Sequence, residues 1–239
     1  MDGSGRGMTN LIAAASFFGG ALFAALFGGT RFASVTVCFL KGTRIWTPKG
    51  EIKVEDLRIK DRVVTFSGEA KPIKFIGRQR VRWTKENAPV RVAQSALGPN
   101  NPHRDLYLSK WHSLYIDGVL IPIAALLNGH TIARCQTEQA DIEYFSIKLE
   151  RHDVIFADGV ACETILGRSV THCDNFEEYR GLYGEPCNEP AAAPMLYNSG
   201  RSIIESHLRS AISPFIDVRT KPEIVRDNLV ERAAAHAQS

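Results

Sequence analysis

Paired cysteines are missing from this chain. Its 239 residues include five cysteines, Cys38, Cys135, Cys162, Cys173 and Cys187. The number is odd, and no two stand at CxxC spacing. That excludes a disulfide framework of the small secreted type and leaves a structural zinc site without its usual short-spaced ligand pairs. His172-Cys173 and Cys187 could supply three ligands, but no fourth stands at a recognisable spacing, so neither metal nor cofactor is expected. Charge of one sign is scarce as well. The net charge of +3 is small for this length. No basic cluster is interleaved with aromatics, which argues against nucleic acid as a partner. Hydrophobic and charged fractions of 44% and 23% are those of a soluble globular protein that can bury a core.

One segment lacks charge altogether. No ionisable side chain stands between Arg6 and Arg31, and every residue from Leu11 to Gly29 is apolar or small. That length approaches the roughly 20 residues that span a bilayer, although Gly19, Gly20, Gly28 and Gly29 weaken a helix. A membrane span, a secretory signal with Arg6 as a thin basic region, and an apolar leader are the three readings. Membrane association through residues 11–29 is the expectation, placing the protein at a membrane or outside the cell, with a cytoplasmic location as the alternative.

By texture the chain divides into an apolar leader (1–37), a region of short β-like runs (38–167) and a polar tail (168–239). In the middle region Arg44–Thr47, Val63–Phe66, Ile73–Ile76, Val90–Val92 and Leu106–Leu108 read as strands. So do Leu114–Ile116, Val119–Ile121, Tyr144–Ile147 and Val154–Ala157. Gly, Pro and Asp-Gly punctuation between them points to an all-β sandwich, barrel or folded ribbon. Short helices are expected at Val54–Leu57 and Pro122–Leu127. In the tail, helices are expected at Asn175–Leu182, Ser202–Ile212 and Pro222–Ala235, after a Pro/Ala linker from Pro186 to Pro194.

Three pieces carry candidate chemistry. Cys38 opens the β region, where it is either a small buried hydrophobe or a nucleophile. Ser109-Lys110-Trp111-His112 puts a hydroxyl three residues before an imidazole, after a strand. The pair is either a capped turn with a surface histidine, or a hydroxyl and a proton donor able to hold one backbone amide. Asp153, beside His152 at the start of a strand, is either a turn residue or the group that takes a thiol proton.

Taken together, the pieces resemble a family. Cys38-Phe39-Leu40-x-Gly42-Thr43-x-Ile45, then Val54-Glu55-Asp56-Leu57 with Asp61-Arg62-Val63-Val64, is similar to the opening of Hint (Hedgehog/intein) domains. Ser109 and His112 fall where those domains carry Thr-x-x-His. His152-Asp153-Val154 through Ala157-Asp158-Gly159-Val160 resembles their closing block. The run from Ala96 to Pro122 is similar to a bacterial Hint subfamily often seen in Alphaproteobacteria. The resemblance covers Cys38 to Leu166 and implies a horseshoe-like all-β fold, with the apolar segment before it and a partly helical tail after it.

The resemblance also implies an activity. The Cys38 thiol would attack the Val37 carbonyl in an N–S acyl shift at the Val37-Cys38 bond. The chain's own N-terminal segment is then the substrate, and water, a thiol or another small nucleophile is the acceptor. Ser109 would hold the amide, His112 would protonate its nitrogen, and Asp153 would act as the base. Such a domain processes itself once rather than turning over. There are departures from the pattern. Serine replaces threonine at 109, and Lys60 stands where glycine is common. Gly77 sits about where Hedgehog proteins carry an auxiliary aspartate. Cys162-Glu163 replaces the terminal His-Asn, and without that amide complete splicing is not expected. These departures, with the short upstream segment, leave a degenerate Hint fold serving as a binding or structural module as the alternative. A cysteine peptidase acting in trans through Cys38 and His112 is disfavoured, because no helix N-terminus adjoins the cysteine to stabilise its thiolate.

Overall fold

The computed structural model describes residues 37–136, 141–195 and 221–236. The leader up to residue 36, including the apolar run 11–29, and the helix expected at Ser202–Ile212 lie outside the described residues. No described helix is long and apolar enough to cross a membrane.

Short strands dominate. In chain order they are β1 (Phe39–Leu40), β2 (Arg44–Thr47), β3 (Gly50–Lys53), β4 (Arg62–Val64), β5 (Ala70–Pro72), β6 (Phe75–Arg82) and β7 (Val90–Val92). They continue with β8 (Leu106–Leu108), β9 (Ser113–Ile116), β10 (Val119–Pro122), β11 (Ile132–Arg134), β12 (Asp141–Lys148), β13 (Val154–Ala157) and β14 (Val160–Glu163). Two six-stranded sheets form, ordered β11-β7-β8-β1-β12-β6 and β10-β9-β14-β13-β2-β3, beside the ribbon β4-β5. The all-β expectation holds.

Local chemistry explains the hairpins. Asp117-Gly118 and Asp158-Gly159 connect β9 to β10 and β13 to β14, with φ of 48° and 83°, then 47° and 88°. Two successive left-handed residues match the strand twist, and Asp followed by Gly tolerates them best. Lys60 also adopts positive φ, 78°, which accounts for the glycine usual at that position. The expected strand Ile73–Ile76 breaks because Ile73 turns aside, its N–H donating to Asp61 O (2.7 Å) and its carbonyl accepting from Lys60 N–H (2.8 Å). β3, β5, β11 and β14 were not anticipated. They are short: β3, β5 and β14 fold back across short turns on β2, β4 and β13, and β11 draws its partner, β7, from farther along the chain.

The main core lies where Phe39, Phe145 and Ile147 of the first sheet meet Ile45, Leu114 and Ile155 of the second. Each is nearly or fully buried, a contribution of about 1.5–3 kcal/mol per large apolar side chain. The helices expected near 54 and 122 are single 3-10 turns, Val54–Asp56 and Ile123–Leu126. Among the described residues, two α-helices stand in the tail, α1 (Phe176–Tyr183) and α2 (Lys221–His236). α2 buries Val225 and Leu229 in the same core and packs on the Ile123–Leu126 turn. A second cluster, with Phe75, Val170, Cys173 and Tyr179, covers the far side of β6.

Candidate active site

Strand register builds the site. β1 pairs antiparallel with β8 through Phe39↔Leu108 and with β12 through Phe39↔Phe145. One step back along each ladder, residue 38 stands between Ser109 and Ser146. Side chains alternate across a strand, so while Phe39 enters the main core, Cys38 faces the other way with Val81, Ile142 and Tyr144. The thiol is buried, with the residue 1% exposed.

Both neighbours engage it. The Cys38 N–H donates to Ser109 Oγ at 3.0 Å, and the Ser109 N–H donates back to the Cys38 carbonyl at 2.9 Å. On the other side, Ser146 Oγ lies 3.2 Å from Cys38 Sγ and donates to the Val37 carbonyl at 2.8 Å. Gln79 Oε1 is 4.0 Å from the sulfur, and Gln79 Nε2 donates to the His172 carbonyl at 3.2 Å. The Val37-Cys38 peptide is therefore held at its oxygen by one hydroxyl and at its nitrogen by another.

His112 completes the group. The turn that joins β8 to β9 closes with His112 N–H donating to Ser109 O at 3.0 Å. Three residues of turn send Ser109 and His112 inward, while Trp111 between them is half exposed. The His112 ring is fully buried against Phe39, centroids 4.4 Å apart. Its Nε2 lies 3.0 Å from the Glu163 carbonyl. A carbonyl only accepts, so Nε2 carries the hydrogen and Nδ1 holds the lone pair. Nδ1 has no hydrogen-bond partner among the described residues. Burial pushes the imidazole pKa down, against the Glu163 carboxylate and the Cys38 and Glu163 backbone, which favour the proton. The ring rests neutral, with one buried basic atom unspent. An orphaned buried polar atom costs about 1–3 kcal/mol. Such a cost fits an atom kept for chemistry.

Asp153 requires a correction. Its carboxylate takes Lys71 Nζ at 2.7 Å and the Val154 N–H at 2.8 Å, and it makes no hydrogen bond or ion pair with Cys38. The reason is topological: Asp153 opens β13 in the second sheet, whereas Cys38 precedes β1 in the first. A group that does meet the thiol is Ser146, which sequence reasoning missed. Its only signal was a lone serine inside the apolar run Tyr144–Ile147.

Glu163, at the place of the terminal asparagine, is 1% exposed. Its Oε1 accepts the Ser113 N–H at 2.7 Å, and its Oε2 lies 3.3 Å from His152 Nε2. His152 Nδ1 accepts the Ala192 N–H at 2.8 Å, which leaves Nε2 to donate to Glu163. Among the described residues, Glu51, His103 and Asp158 bring one ligand atom each within 4.8 Å. Arg104 already ion-pairs with two of them, Asp158 at 3.3 Å and Glu51 at 3.9 Å.

Residues 37–168, more than half the chain, match the family described as Hint domain. The chain belongs to the Hint-domain family. Hint folds are shared by inteins, and membership supports an autoprocessing type of function in general terms. Similar solved structures include the gp41-1 intein (12% identity, 53% of this chain and 98% of that one, TM-score 0.40). An intein-like domain from Clostridium thermocellum (12%, 55% and 100%, 0.40) and a DnaB intein from Synechocystis sp. PCC 6803 (13%, 55% and 100%, 0.38) are others. No curated protein matches the chain.

Proposed function

We propose that this Hint domain cuts its own chain at Val37-Cys38 through an N–S acyl shift. The observation that carries the proposal is the clasp of Ser109 and Ser146 on the two ends of one peptide bond, with the buried His112 ring packed on the adjoining Phe39 and its Nδ1 unspent.

The amide is the obstacle, since its resonance underlies a rotation barrier of about 18–20 kcal/mol. Cys38 Sγ adds to the Val37 carbonyl carbon. Negative charge grows on the Val37 oxygen, where the Ser146 hydroxyl already donates. A preformed donor at that atom is the usual means of stabilising a tetrahedral intermediate. The thiol gives up a proton and the Cys38 nitrogen gains one. Neutral His112 serves both steps, taking a proton at Nδ1 and delivering it to the nitrogen as the C–N bond breaks. Ser109 holds the N–H, so the nitrogen departs without rotating. The product is a thioester between Val37 and Cys38 Sγ with a free Cys38 amine. Water or a thiol then releases the segment ending at Val37. Glu163 offers no side-chain amide for cyclisation, so complete splicing does not follow.

The test uses the purified full chain and its Cys38→Ala variant, each incubated with dithiothreitol and weighed intact. Loss of residues 1–37 from the first protein alone supports the proposal. Cleavage elsewhere, or in both, refutes it. No cleavage in either assigns the chain to the alternative, a Hint fold that binds without processing.

A further inference from the structure

The row that holds the site has a fourth member. β12 pairs with β6 through Ser146↔Gly77, so Ser109, Cys38, Ser146 and Gly77 stand abreast on four neighbouring strands. A Cβ added at Gly77 would meet the sulfur of Cys173 at 2.3 Å and Ser146 Cβ at 3.3 Å. The second thiol thus occupies the volume that a residue 77 side chain would fill, next to the hydroxyl that touches the first.

This placement is built, not incidental. β6 is the terminal strand of its sheet, and residues 172–175 are laced along it. Arg78 N–H donates to Asn175 Oδ1 at 2.8 Å, Arg80 N–H to Asp174 Oδ2 at 2.7 Å, and Asp174 N–H to the Arg78 carbonyl at 2.8 Å. Asn175 Nδ2 donates to Ile76 O at 3.0 Å. Together with the Gln79 bond to His172 O, these contacts fix Cys173 from both sides. It is 6% exposed.

We infer that Cys173 is an internal acceptor, taking the acyl group that ends at Val37 from the sulfur of Cys38. The inference rests on the acyl shift proposed above. Ser146 Oγ meets the carbonyl oxygen of Val37, the sulfur of Cys38 and, through a further hydrogen bond, the thiol of Cys173. Acyl oxygen, leaving sulfur and entering sulfur therefore share one hydroxyl. The bond from the acyl carbon to Cys173 Sγ forms as the bond to Cys38 Sγ breaks. The Cys173 proton passes to Ser146, and the Ser146 hydrogen passes to the departing Cys38 sulfur. Nothing is oxidised. Burial pushes the Cys173 thiol up to about 12, so it stays protonated and does not compete for the amide in the first step. The transfer moves the acyl group off the residue whose own amine reverses the shift.

The two thioesters differ in one detectable way. With the acyl group on Cys173, Cys38 displays a free amine beside a free thiol while the full mass is retained. The full-length protein, without added thiol, is treated with 2-cyanobenzothiazole, which condenses with N-terminal cysteine. It is then digested under mildly acidic conditions and mapped by mass spectrometry. The expected result is label on Cys38 in protein of uncleaved mass, and a Cys173 peptide carrying the acyl group that ends at Val37. Cys173→Ala should lose that full-mass labelled species by about tenfold or more and still release residues 1–37 with dithiothreitol. An acyl group found on Cys38 but never on Cys173 in the native protein overturns the inference and leaves the acyl shift standing. Absence of Cys38-dependent cleavage in both proteins overturns the shift and this step together.

Discussion

Replacing Ser146 by alanine tests the chemistry at its least expected point. The hydroxyl is 1% exposed and donates to the Val37 oxygen at 2.8 Å. Its loss has two separable consequences. For stability, one buried hydrogen bond disappears and a carbonyl loses its donor, a cost of about 1–3 kcal/mol. In a domain of this size that lowers Tm by roughly 2–4 °C per kcal/mol. For the reaction, the charge developing on the same oxygen loses a fixed donor. Removal of one such donor slows acyl transfer by about 10²–10³, or about 2.7–4 kcal/mol. The assay follows release of residues 1–37 by intact mass over time in dithiothreitol, with a melting curve for each protein. Ser146→Thr, which keeps the hydroxyl, should recover much of the rate. Ser146→Ala that is folded and cleaves within about threefold of the parent, where an oxyanion donor predicts at least a hundredfold, would refute the assignment of Ser146 to the carbonyl oxygen.

His112→Ala should slow cleavage by about 10²–10⁴ in the same assay. Because burial holds the folded pKa below 6.5, the rate of the parent should stay level as pH falls to the ordinary imidazole range and drop only in more acid solution, where Nδ1 fills. Stability carries the same sign: the folded state binds this proton less readily than the unfolded chain, so stability present above the unfolded pKa is lost in acid. Asp153→Ala should leave the cleavage rate unchanged and cost about 1 kcal/mol or less by chemical denaturation, since its partner Lys71 is 40% exposed. Asp158 behaves oppositely to an ordinary paired carboxylate. Burial raises it from 3.8 to about 6, against the Arg44 backbone and Arg104, so the stability it confers is full below its unfolded pKa and lost as pH rises through about 6. Asp158→Asn should flatten the stability profile across that window and gain on the order of 2–3 kcal/mol on the parent from acid to neutral pH, read from denaturant midpoints.

Local rules made much of the fold legible. Asp117-Gly118 and Asp158-Gly159 are turns because their residues tolerate left-handed backbone, wherever the flanking strands end up. Ser109 and His112 were legible only through the resemblance of Ser-x-x-His to Thr-x-x-His, because the two-residue spacer by itself left a surface histidine equally open. Asp153 was misplaced because proximity in sequence to a suggestive block says nothing about which sheet a strand joins. Ser146 and Cys173 were beyond the reach of any local rule. Residue 146 meets residue 38 across 108 positions of chain, through the register of β12 on β1. Cys173 arrives because an edge strand left backbone groups for the tail to satisfy, and because Gly77 left room for a sulfur. Alternation and turn chemistry thus decided which side chains could face inward. Which of them met at one peptide bond was decided by the pairing of distant strands, where a shift of a single residue would have turned the same groups to the opposite face.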